Sequence, residues 1–245
     1  MLHLPPIFST RRAFVTGSAA LVLAGQEAAA QTGKAARPKP FTIVAFGDSL
    51  TAGLGVKRSE AFPARLEARL KAAGYDLRIA NAGLSGDTTA GALARFDFAV
   101  PRGTDAVLLA IGANDMLQGR SPEDAKTNID TMITRAKARG LKVALLGMRA
   151  PSNWGADYRA RFDAIYPSLA RKHKIALDPF VLEGVALNPA LNQADGIHPN
   201  PVGADRIAAR LVPFVAKSFV KYMYVLSNNM GLFTSTLVKG TIKSN

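Results

Sequence analysis

Short apolar runs alternate with longer amphipathic stretches through the middle of the chain. Five of these runs are rich in aliphatic and β-branched residues and predict buried strands, at residues 41–46, 77–80, 105–111, 142–147 and 174–177. Strands that alternate with helices predict a parallel sheet with helices on both of its faces. Because the chain shows neither an internal repeat nor a second core, we expect a single α/β domain.

Five helices are predicted between and after the strands. They cover about residues 59–73, 88–98, 121–140, 156–172 and 200–220. We expect Asp87 to cap the second of these helices, because aspartate is a common N-cap. Pro167 should disturb the fourth helix, since a proline inside a helix removes a backbone hydrogen bond.

The beginning of the chain predicts an export signal over residues 1–30. Arg11 and Arg12 precede a moderately apolar stretch that ends in Ala28-Ala29-Ala30, which is a small-residue cleavage pattern. The arginine pair resembles a twin-arginine signal, and an ordinary secretory signal that carries two arginines is the alternative. Either signal predicts a periplasmic or secreted protein.

The remaining boundaries follow from composition. Residues 31–39 are polar and interrupted by prolines, which predicts a linker. The folded domain is expected over residues 40–220. Residues 221–245 do not fit the alternation of strands and helices, and they are expected to form a loose tail or an added strand without an assigned role.

Composition narrows the classes of partner. The chain has 245 residues, of which 48% are hydrophobic, so it can bury one sizeable core. The absence of cysteine excludes disulfides, thiolate nucleophiles and cysteine metal sites. The net charge of +13 is scattered and includes no basic run interleaved with aromatics, so we expect no nucleic-acid partner. Transient contact with an anionic membrane surface is expected instead.

The first predicted strand leads directly into Gly47-Asp48-Ser49-Leu50. The carboxyl ends of strands are where open α/β sheets bind their ligands, and a serine on rigid backbone at that place suits a nucleophile. The alternative is that Asp48 or Ser49 only caps the following turn or helix.

A serine nucleophile requires a base, and His198 is the best candidate. His3 belongs to the predicted signal, and His173 lies among basic residues at a helix end, where we expect it to be solvated. Pro199 and Pro201 follow His198 and stiffen the loop 195–201, and Asp195 lies three residues before His198, close enough in a turn to orient the ring. A turn aspartate and an ordinary loop histidine are the alternative.

Two further segments follow predicted strands and offer hydrogen-bond donors. Gly83 lies in the segment 81–86, and Asn114 lies in Gly112-Ala113-Asn114-Asp115. The amides of Ser49 and Gly83 and the side chain of Asn114 together could form an oxyanion hole. Each segment alone is also a common turn signal.

These four segments, in this order, resemble the conserved blocks of the SGNH (GDSL) hydrolase family, and the resemblance covers about residues 40–220. Within that family the chain is similar to the bacterial multifunctional acyl-CoA thioesterase, lysophospholipase and arylesterase subgroup, which the segment 148–155 also resembles. The resemblance implies a flavodoxin-like three-layer α/β/α sandwich. It implies Ser49 as nucleophile, His198 as base, Asp195 as its partner, and Ser49, Gly83 and Asn114 as oxyanion donors.

The resulting hypothesis is a serine esterase that hydrolyses small-molecule esters and thioesters through an acyl-enzyme, without a metal or cofactor. Loop residues that could line an acyl groove are Met116, Leu117, Trp154, Tyr158, Leu182, Val185 and Leu187. Two alternatives stay open: a carbohydrate O-deacetylase of the same fold, and a non-catalytic protein that binds an anionic ligand.

Overall fold

A five-stranded parallel sheet lies at the centre of the structure, in the order β2-β1-β3-β4-β5. The computed structural model describes the backbone of residues 39–228 and the side chains of residues 39–219; the predicted export signal, most of the linker and residues 229–245 lie outside this range. The strands are β1 (Phe41–Gly47), β2 (Leu77–Gly83), β3 (Ala106–Ala110), β4 (Lys142–Leu146) and β5 (Ala176–Asp178). The expected five-stranded parallel sheet is therefore confirmed.

The central strands are buried on both faces, as their continuous apolar sequences require. β1 pairs with β2 on one side and with β3 on the other, with Gly47 opposite both Gly83 and Ala110. Phe46 is completely buried and packs edge-on against Phe96 of the helix that follows β2. The carboxyl ends of β1, β2 and β3 are thus held side by side at one edge of the sheet.

Eight α-helices occur in the described range. They are α1 (Ser49–Ala52), α2 (Phe62–Ala72), α3 (Thr89–Ala99), α4 (Ala113–Leu117), α5 (Pro122–Ala138), α6 (Ala156–Asp163), α7 (Ile165–His173) and α8 (Pro201–Asn228). Helix α2 packs against α8 and β2, whereas α5 packs against both α3 and α7. Two helical layers that enclose a parallel sheet make the three-layer α/β/α sandwich that was expected.

Several helix boundaries differ from the prediction. Helix α2 begins at Phe62, with Pro63 in its first turn, rather than near residue 59. Thr88 caps α3, because the Asp87 carboxylate is engaged by Arg95 instead. The expected fourth helix is divided at Ala164 into α6 and α7, so the break precedes Pro167. The one-turn helices α1 and α4 were not predicted.

Helix α8 is longer than expected. It passes the predicted end near residue 220 and continues to Asn228, with Pro213 inside it. Residues 221–228 are therefore helical and form neither a loose tail nor an added strand. Over residues 39–228, no helix combines the length and apolarity that crossing a bilayer requires.

The strand order creates a crevice at the carboxyl end of β1. The chain passes from β1 outward to β2 on one side, and from β3 outward to β4 and β5 on the other. Connections that leave neighbouring strands in opposite directions leave a gap between them, and open α/β sheets bind ligands there. Ser49 follows β1 and Asn114 follows β3, so both lie at this gap.

Candidate active site

Ser49 is the first residue of α1, immediately beyond the carboxyl end of β1. Asp48 caps this short helix by accepting a hydrogen bond from the Leu50 N–H at 3.0 Å. Gly47 permits the close packing of this turn, because a Cβ there would lie 2.2 Å from the Ala110 carbonyl oxygen. The Ser49 side chain is therefore presented on backbone that is fixed on both sides.

His198 connects Ser49 to Asp195. Its Nε2 lies 2.8 Å from Ser49 Oγ, and its Nδ1 lies 2.7 Å from Asp195 Oδ2. These partners favour the tautomer in which Nδ1–H donates to the carboxylate and Nε2 accepts from the serine hydroxyl. The structure thus brings together three side chains that the sequence separates by up to 149 positions.

The loop that carries His198 is braced at several points. The Asp195 carboxylate accepts hydrogen bonds from the backbone N–H groups of Ile197 and His198, each at 2.9 Å. The Gln193 N–H donates to the His198 carbonyl at 2.8 Å, and its side chain donates to Leu54 and Pro199 carbonyls. The ring position is consequently set by the loop as well as by its side-chain partners.

Two carboxyl groups beside Ser49 and His198 have opposite electrostatic environments. Hydrogen bonds from the His198 backbone and ring lower the pKa of Asp195 to about 2, so this carboxylate is charged at neutral pH. Burial raises the pKa of Asp48 to about 7, because its carboxyl is removed from water. Asp195 therefore supplies the negative charge that faces the imidazole.

Gly83 is not placed as expected. Its N–H donates to Asn81 Oδ1 at 2.9 Å, so the hydrogen that an oxyanion would accept is already engaged. A Cβ at this position would lie 2.1 Å from the Ala52 nitrogen, and the residue lines a separate hollow beside α2. The prediction that Gly83 supplies an oxyanion donor is therefore wrong. A glycine is required at this position because a side chain would collide with the backbone of Ala52.

Gly86, three residues further on, faces the cavity that contains Ser49, Asn114 and His198. Its φ of +81° favours glycine, and the space around it is open. Among residues 39–228, no group accepts a hydrogen bond from its N–H. Gly86 was not predicted as a donor, although it is the last residue of the segment 81–86 in which Gly83 was predicted to be one.

Asn114 lies at the amino-terminal end of α4 and lines the same cavity. One hydrogen of its side-chain amide is donated to the Asp87 carbonyl at 2.9 Å. An amide nitrogen carries two hydrogens, so the second one is available to a bound molecule. The contact with Asp87 also ties Asn114 to the loop that carries Gly86.

Arg95 of α3 holds this loop against the strand ends. Its guanidinium donates to the carboxylate of Asp87 at 2.6 Å and to the carbonyls of Ala82 and Gly47, each at 2.9 Å. The same group lies 4.3 Å from the centroid of the Phe46 ring. Arg95 thereby links β1, β2 and the Gly86 loop through one rigid, planar group.

The cavity beside Ser49 has a volume of about 490 Å³. It is lined mainly by apolar side chains, and four of the predicted groove residues are among them, namely Met116, Leu117, Leu182 and Leu187. Lining residues that were not predicted include Leu54, Met148, Arg149, Pro151, Phe180, Ala186 and Ile197. An apolar cavity of this size suits a hydrocarbon group of a substrate.

Three predicted groove residues do not line it. Val185 is completely buried in the core. The rings of Trp154 and Tyr158 lie tilted at 30° to each other with their centroids 5.1 Å apart. The Tyr158 hydroxyl donates to the Arg120 carbonyl at 2.9 Å, so this pair packs against the loop after α4. Their aromatic character reflects packing rather than exposure to the cavity.

His173 also differs from expectation. Its side chain is only 9% exposed, and its Nε2 lies 2.5 Å from Asp130 Oδ1. The ring therefore packs between α7 and α5 rather than lying free in solvent.

Comparison with known proteins assigns this arrangement to a family. The model of the GDSL-like lipase/acylhydrolase family matches residues 45–206, a range that includes Ser49, the Gly86 loop, Asn114 and His198. The chain belongs to this family. The resemblance inferred from the four sequence segments is thereby confirmed, and this GDSL hydrolase acts on ester bonds.

Relatives of this GDSL hydrolase are similar over most of their length. Esterase TesA of Pseudomonas aeruginosa is 40% identical over 204 residues, which cover 83% of this chain and 96% of the relative. The arylesterase of Vibrio mimicus is 37% identical, and the match covers 74% of this chain and 89% of the relative. Thioesterase 1/protease 1/lysophospholipase L1 of Escherichia coli K12 is 36% identical, and the match covers 71% of this chain and 85% of the relative.

Solved structures support the same assignment. The crystal structure of TesA superposes with a TM-score of 0.69 at 39% identity, and the match covers 72% of this chain and 98% of that one. AlinE4, an SGNH-hydrolase family esterase, superposes with a TM-score of 0.62 at 42% identity, and the match covers 73% of this chain and 96% of that one. The GDSL hydrolase therefore shares both sequence and fold with esterases.

Proposed function

We propose that this GDSL hydrolase cleaves carboxylic esters and thioesters with Ser49 as nucleophile, His198 as general base and Asp195 as the carboxylate that orients His198. The observation that carries the proposal is the hydrogen-bonded chain from Ser49 Oγ through both ring nitrogens of His198 to Asp195. A nucleophile, a base and an orienting carboxylate in this geometry are the requirements of acyl transfer.

The reaction proceeds in two steps. His198 Nε2 takes the Ser49 proton as Oγ attacks the carbonyl carbon, and the ring then gives that proton to the departing alcohol or thiol. The acyl group remains on Ser49 as an ester. A water molecule, deprotonated by His198, attacks this ester, releases the carboxylic acid and restores the serine. The charged Asp195 carboxylate stabilises the imidazolium that forms in each step.

The oxyanion of each tetrahedral intermediate would bind to three donors. These are the N–H groups of Ser49 and Gly86 and the side-chain amide of Asn114. Ser49 is the first residue of α1, so its N–H has no partner within that helix. Gly86, whose N–H is free, and Asn114, which has a second amide hydrogen, both line the cavity that contains Ser49. Fixed donors that need no reorganisation are the main source of stabilisation in such sites.

The cavity supports an acyl chain as the group bound beside Ser49. Its lining is dominated by Leu54, Met116, Leu117, Leu182 and neighbouring apolar residues. The relatives are named esterase TesA, arylesterase and thioesterase 1/protease 1/lysophospholipase L1. We therefore place aryl esters, acyl thioesters and monoacyl lipids among the substrates, ahead of the acetyl esters of carbohydrates.

Labelling with a fluorophosphonate tests the proposal directly. The wild-type protein should be modified on Ser49 and lose esterase activity toward p-nitrophenyl octanoate. Ser49→Ala should resist labelling and lower kcat by about 10⁴- to 10⁶-fold, because the nucleophile is absent. Asn114→Ala should remain labelled, and its kcat should fall about 10²- to 10³-fold through the loss of one oxyanion donor.

A crystal structure of the phosphonylated protein distinguishes the two glycines. The phosphonyl oxygen should lie about 2.7–3.1 Å from the Gly86 and Ser49 nitrogens and from Asn114 Nδ2. Contact with the Gly83 nitrogen instead would overturn the oxyanion assignment. Full activity of Ser49→Ala would overturn the mechanism, and an acetyl preference without any gain from longer chains would favour an O-deacetylase.

We also propose that residues 1–30 direct export and are removed, which would make this a periplasmic or secreted enzyme. The arginine pair at residues 11 and 12 and the alanines before Gln31 support this proposal. The net charge of the whole chain is +13, and +12 remains without residues 1–30, which carry Arg11, Arg12 and Glu27; this charge supports transient contact of the exported protein with anionic membrane surfaces.

A further inference from the structure

Arg149 is the feature of the cavity that the acyl-transfer mechanism does not use. It is the one arginine among the residues that line the cavity, and that lining includes no lysine, aspartate or glutamate. His198 is the other ionisable group there, and it is engaged with Ser49 and Asp195. Arg149 thus places a permanent positive charge at the wall of an otherwise apolar site.

The charge of Arg149 is not neutralised by a neighbour within the described side chains. Some partly buried arginines pair with carboxylates, as Arg95 does with Asp87 and Arg210 with Asp178, but the exposed Arg149 forms no such ion pair among the described side chains. For Arg149, the contact found over residues 39–219 is with the Phe180 ring, whose centroid lies 5.4 Å from the guanidinium carbon. A ring face orients a guanidinium but leaves its N–H donors free.

The backbone on either side of Arg149 is rigid. The Ala150 N–H donates to the Asp163 carboxylate at 2.8 Å, and the Gly147 N–H donates to the Asp178 carbonyl at 2.7 Å. The Phe180 carbonyl, in turn, accepts from Arg210 at 3.1 Å. These hydrogen bonds fix the backbone beside Arg149 and the backbone of Phe180, so that mainly the Arg149 side chain has to be ordered when an anion binds.

We propose that Arg149 binds a phosphate ester on the leaving-group side of the substrate, so that the enzyme selects phosphate-bearing acyl esters or thioesters over neutral ones with the same acyl chain. The inference rests on the proposed acyl-transfer function of Ser49. In this proposal the acyl chain lies along the apolar lining, and the polar leaving group passes the part of the cavity wall that carries Arg149. Guanidinium groups bind phosphate through paired, charge-assisted hydrogen bonds.

Two kinds of substrate carry such a phosphate, and matched pairs distinguish them. Octanoyl-CoA is compared with octanoyl-N-acetylcysteamine, which has the same thioester without the phosphates. Mono-octanoylglycerol phosphate is compared with mono-octanoylglycerol. For each pair, the measured quantity is the ratio of kcat/KM for the phosphate-bearing substrate to that for its neutral counterpart, in the wild-type enzyme and in three variants.

Arg149→Met removes the charge and keeps the length of the side chain. We expect it to lower the ratio by about 10- to 100-fold for at least one pair, mainly through KM, because hydrogen bonds to charged groups contribute about 1.5–3 kcal/mol. Arg149→Lys should retain part of the ratio, since it keeps the charge but loses the planar fork. Arg171→Met, which removes an exposed arginine of α7 outside the cavity, should leave both ratios unchanged.

The pair whose ratio falls identifies the source of the phosphate. A wild-type ratio of one or less in both pairs would overturn the proposal, as would an equal loss on phosphate-bearing and neutral substrates in Arg149→Met. Failure of the acyl-transfer function itself is seen separately, as turnover of neutral octanoyl esters that persists in Ser49→Ala.

Discussion

Asp48 and Ser49 are adjacent in the chain, but their side chains lie in different environments and have different roles. Asp48 is 2% exposed and caps α1, while Ser49 presents its hydroxyl to His198. Burial opposes the charged form of a carboxyl, which explains why the pKa of Asp48 rises to about 7. Below about pH 7 Asp48 is mainly neutral, which limits the negative charge near the place where the oxyanion would form.

The raised pKa of Asp48 predicts a pH-dependent stability. Between about pH 4 and pH 7 the unfolded chain has released this proton while the folded protein still holds it, so the free energy of unfolding falls as pH rises. Asp48→Asn keeps the cap acceptor and removes the titration. Urea unfolding at pH 4.5 and pH 8 should show the variant gaining stability relative to wild type at the higher pH.

If the free energies of unfolding of Asp48→Asn and wild type differed by the same amount at both pH values, the burial argument would be contradicted.

Asp195 affects stability in the opposite sense, because its pKa is lowered to about 2. Its contribution is present above the unfolded pKa near 4 and is lost as pH falls toward 2.

At the scale of elements, α3 is the part that organises the oxyanion side of the site. It begins at Thr89, whose N–H and hydroxyl both donate to the buried Asp115 of α4, at 2.8 and 2.6 Å. Two turns later, Arg95 reaches back to the ends of β1 and β2 and to Asp87. One helix thus fixes the loop that carries Gly86 relative to both Ser49 and Asn114.

Arg95 is accordingly predicted to be a positioning residue. Arg95→Met should lower kcat by roughly 10- to 100-fold with a smaller change in KM, because small displacements of the donors weaken transition-state stabilisation more than substrate binding. Arg135→Met, which removes an exposed ion pair with Asp97, is the matched control and should leave kcat unchanged. Kinetics on p-nitrophenyl octanoate provide the measurement.

Circular dichroism of each variant establishes that it is folded, and Arg95→Lys is measured as well in case the methionine variant does not fold. A folded Arg95→Met enzyme with wild-type kcat would exclude the positioning role.

At the scale of the whole molecule, topology decides where the chemistry lies. The order β2-β1-β3-β4-β5 separates the connections that follow β1 and β3, and the resulting crevice receives Ser49, Asn114 and the His198 loop. The loop is positioned by contacts that span the molecule, such as the hydrogen bond of 2.7 Å from Gln193 to Leu54. Distant segments therefore meet because the sheet and its flanking helices bring them to one edge.

Export of the whole chain is predicted to remove residues 1–30. The protein recovered from the periplasm or the medium should begin at Gln31 when its amino terminus is sequenced. Replacing both Arg11 and Arg12 with lysine should leave an unprocessed precursor inside the cell, since the twin-arginine receptor reads the pair. An intact amino terminus on exported protein would exclude cleavage, whereas normal export of the lysine variant would indicate the general secretory route.

The features that the sequence alone determined are those that depend on local order. The central parallel strands are continuous apolar runs, and shorter apolar runs mark the edge strands, so all five could be located, and the segments that follow them had to share one edge of the sheet. Asp195 and His198 are three residues apart, and the prolines beside His198 restrict their loop, so their contact was predictable from local geometry.

Only the tertiary structure decided which groups face the cavity. Gly83 and Gly86 are both glycines in one segment, and their roles differ because Asn81 engages one N–H while the other remains free. Val185, Trp154 and Tyr158 have the composition of groove residues, but packing removes them from the cavity and admits Arg149 and Phe180. Orientation of this kind depends on contacts between segments far apart in the chain, which residue type and spacing do not specify.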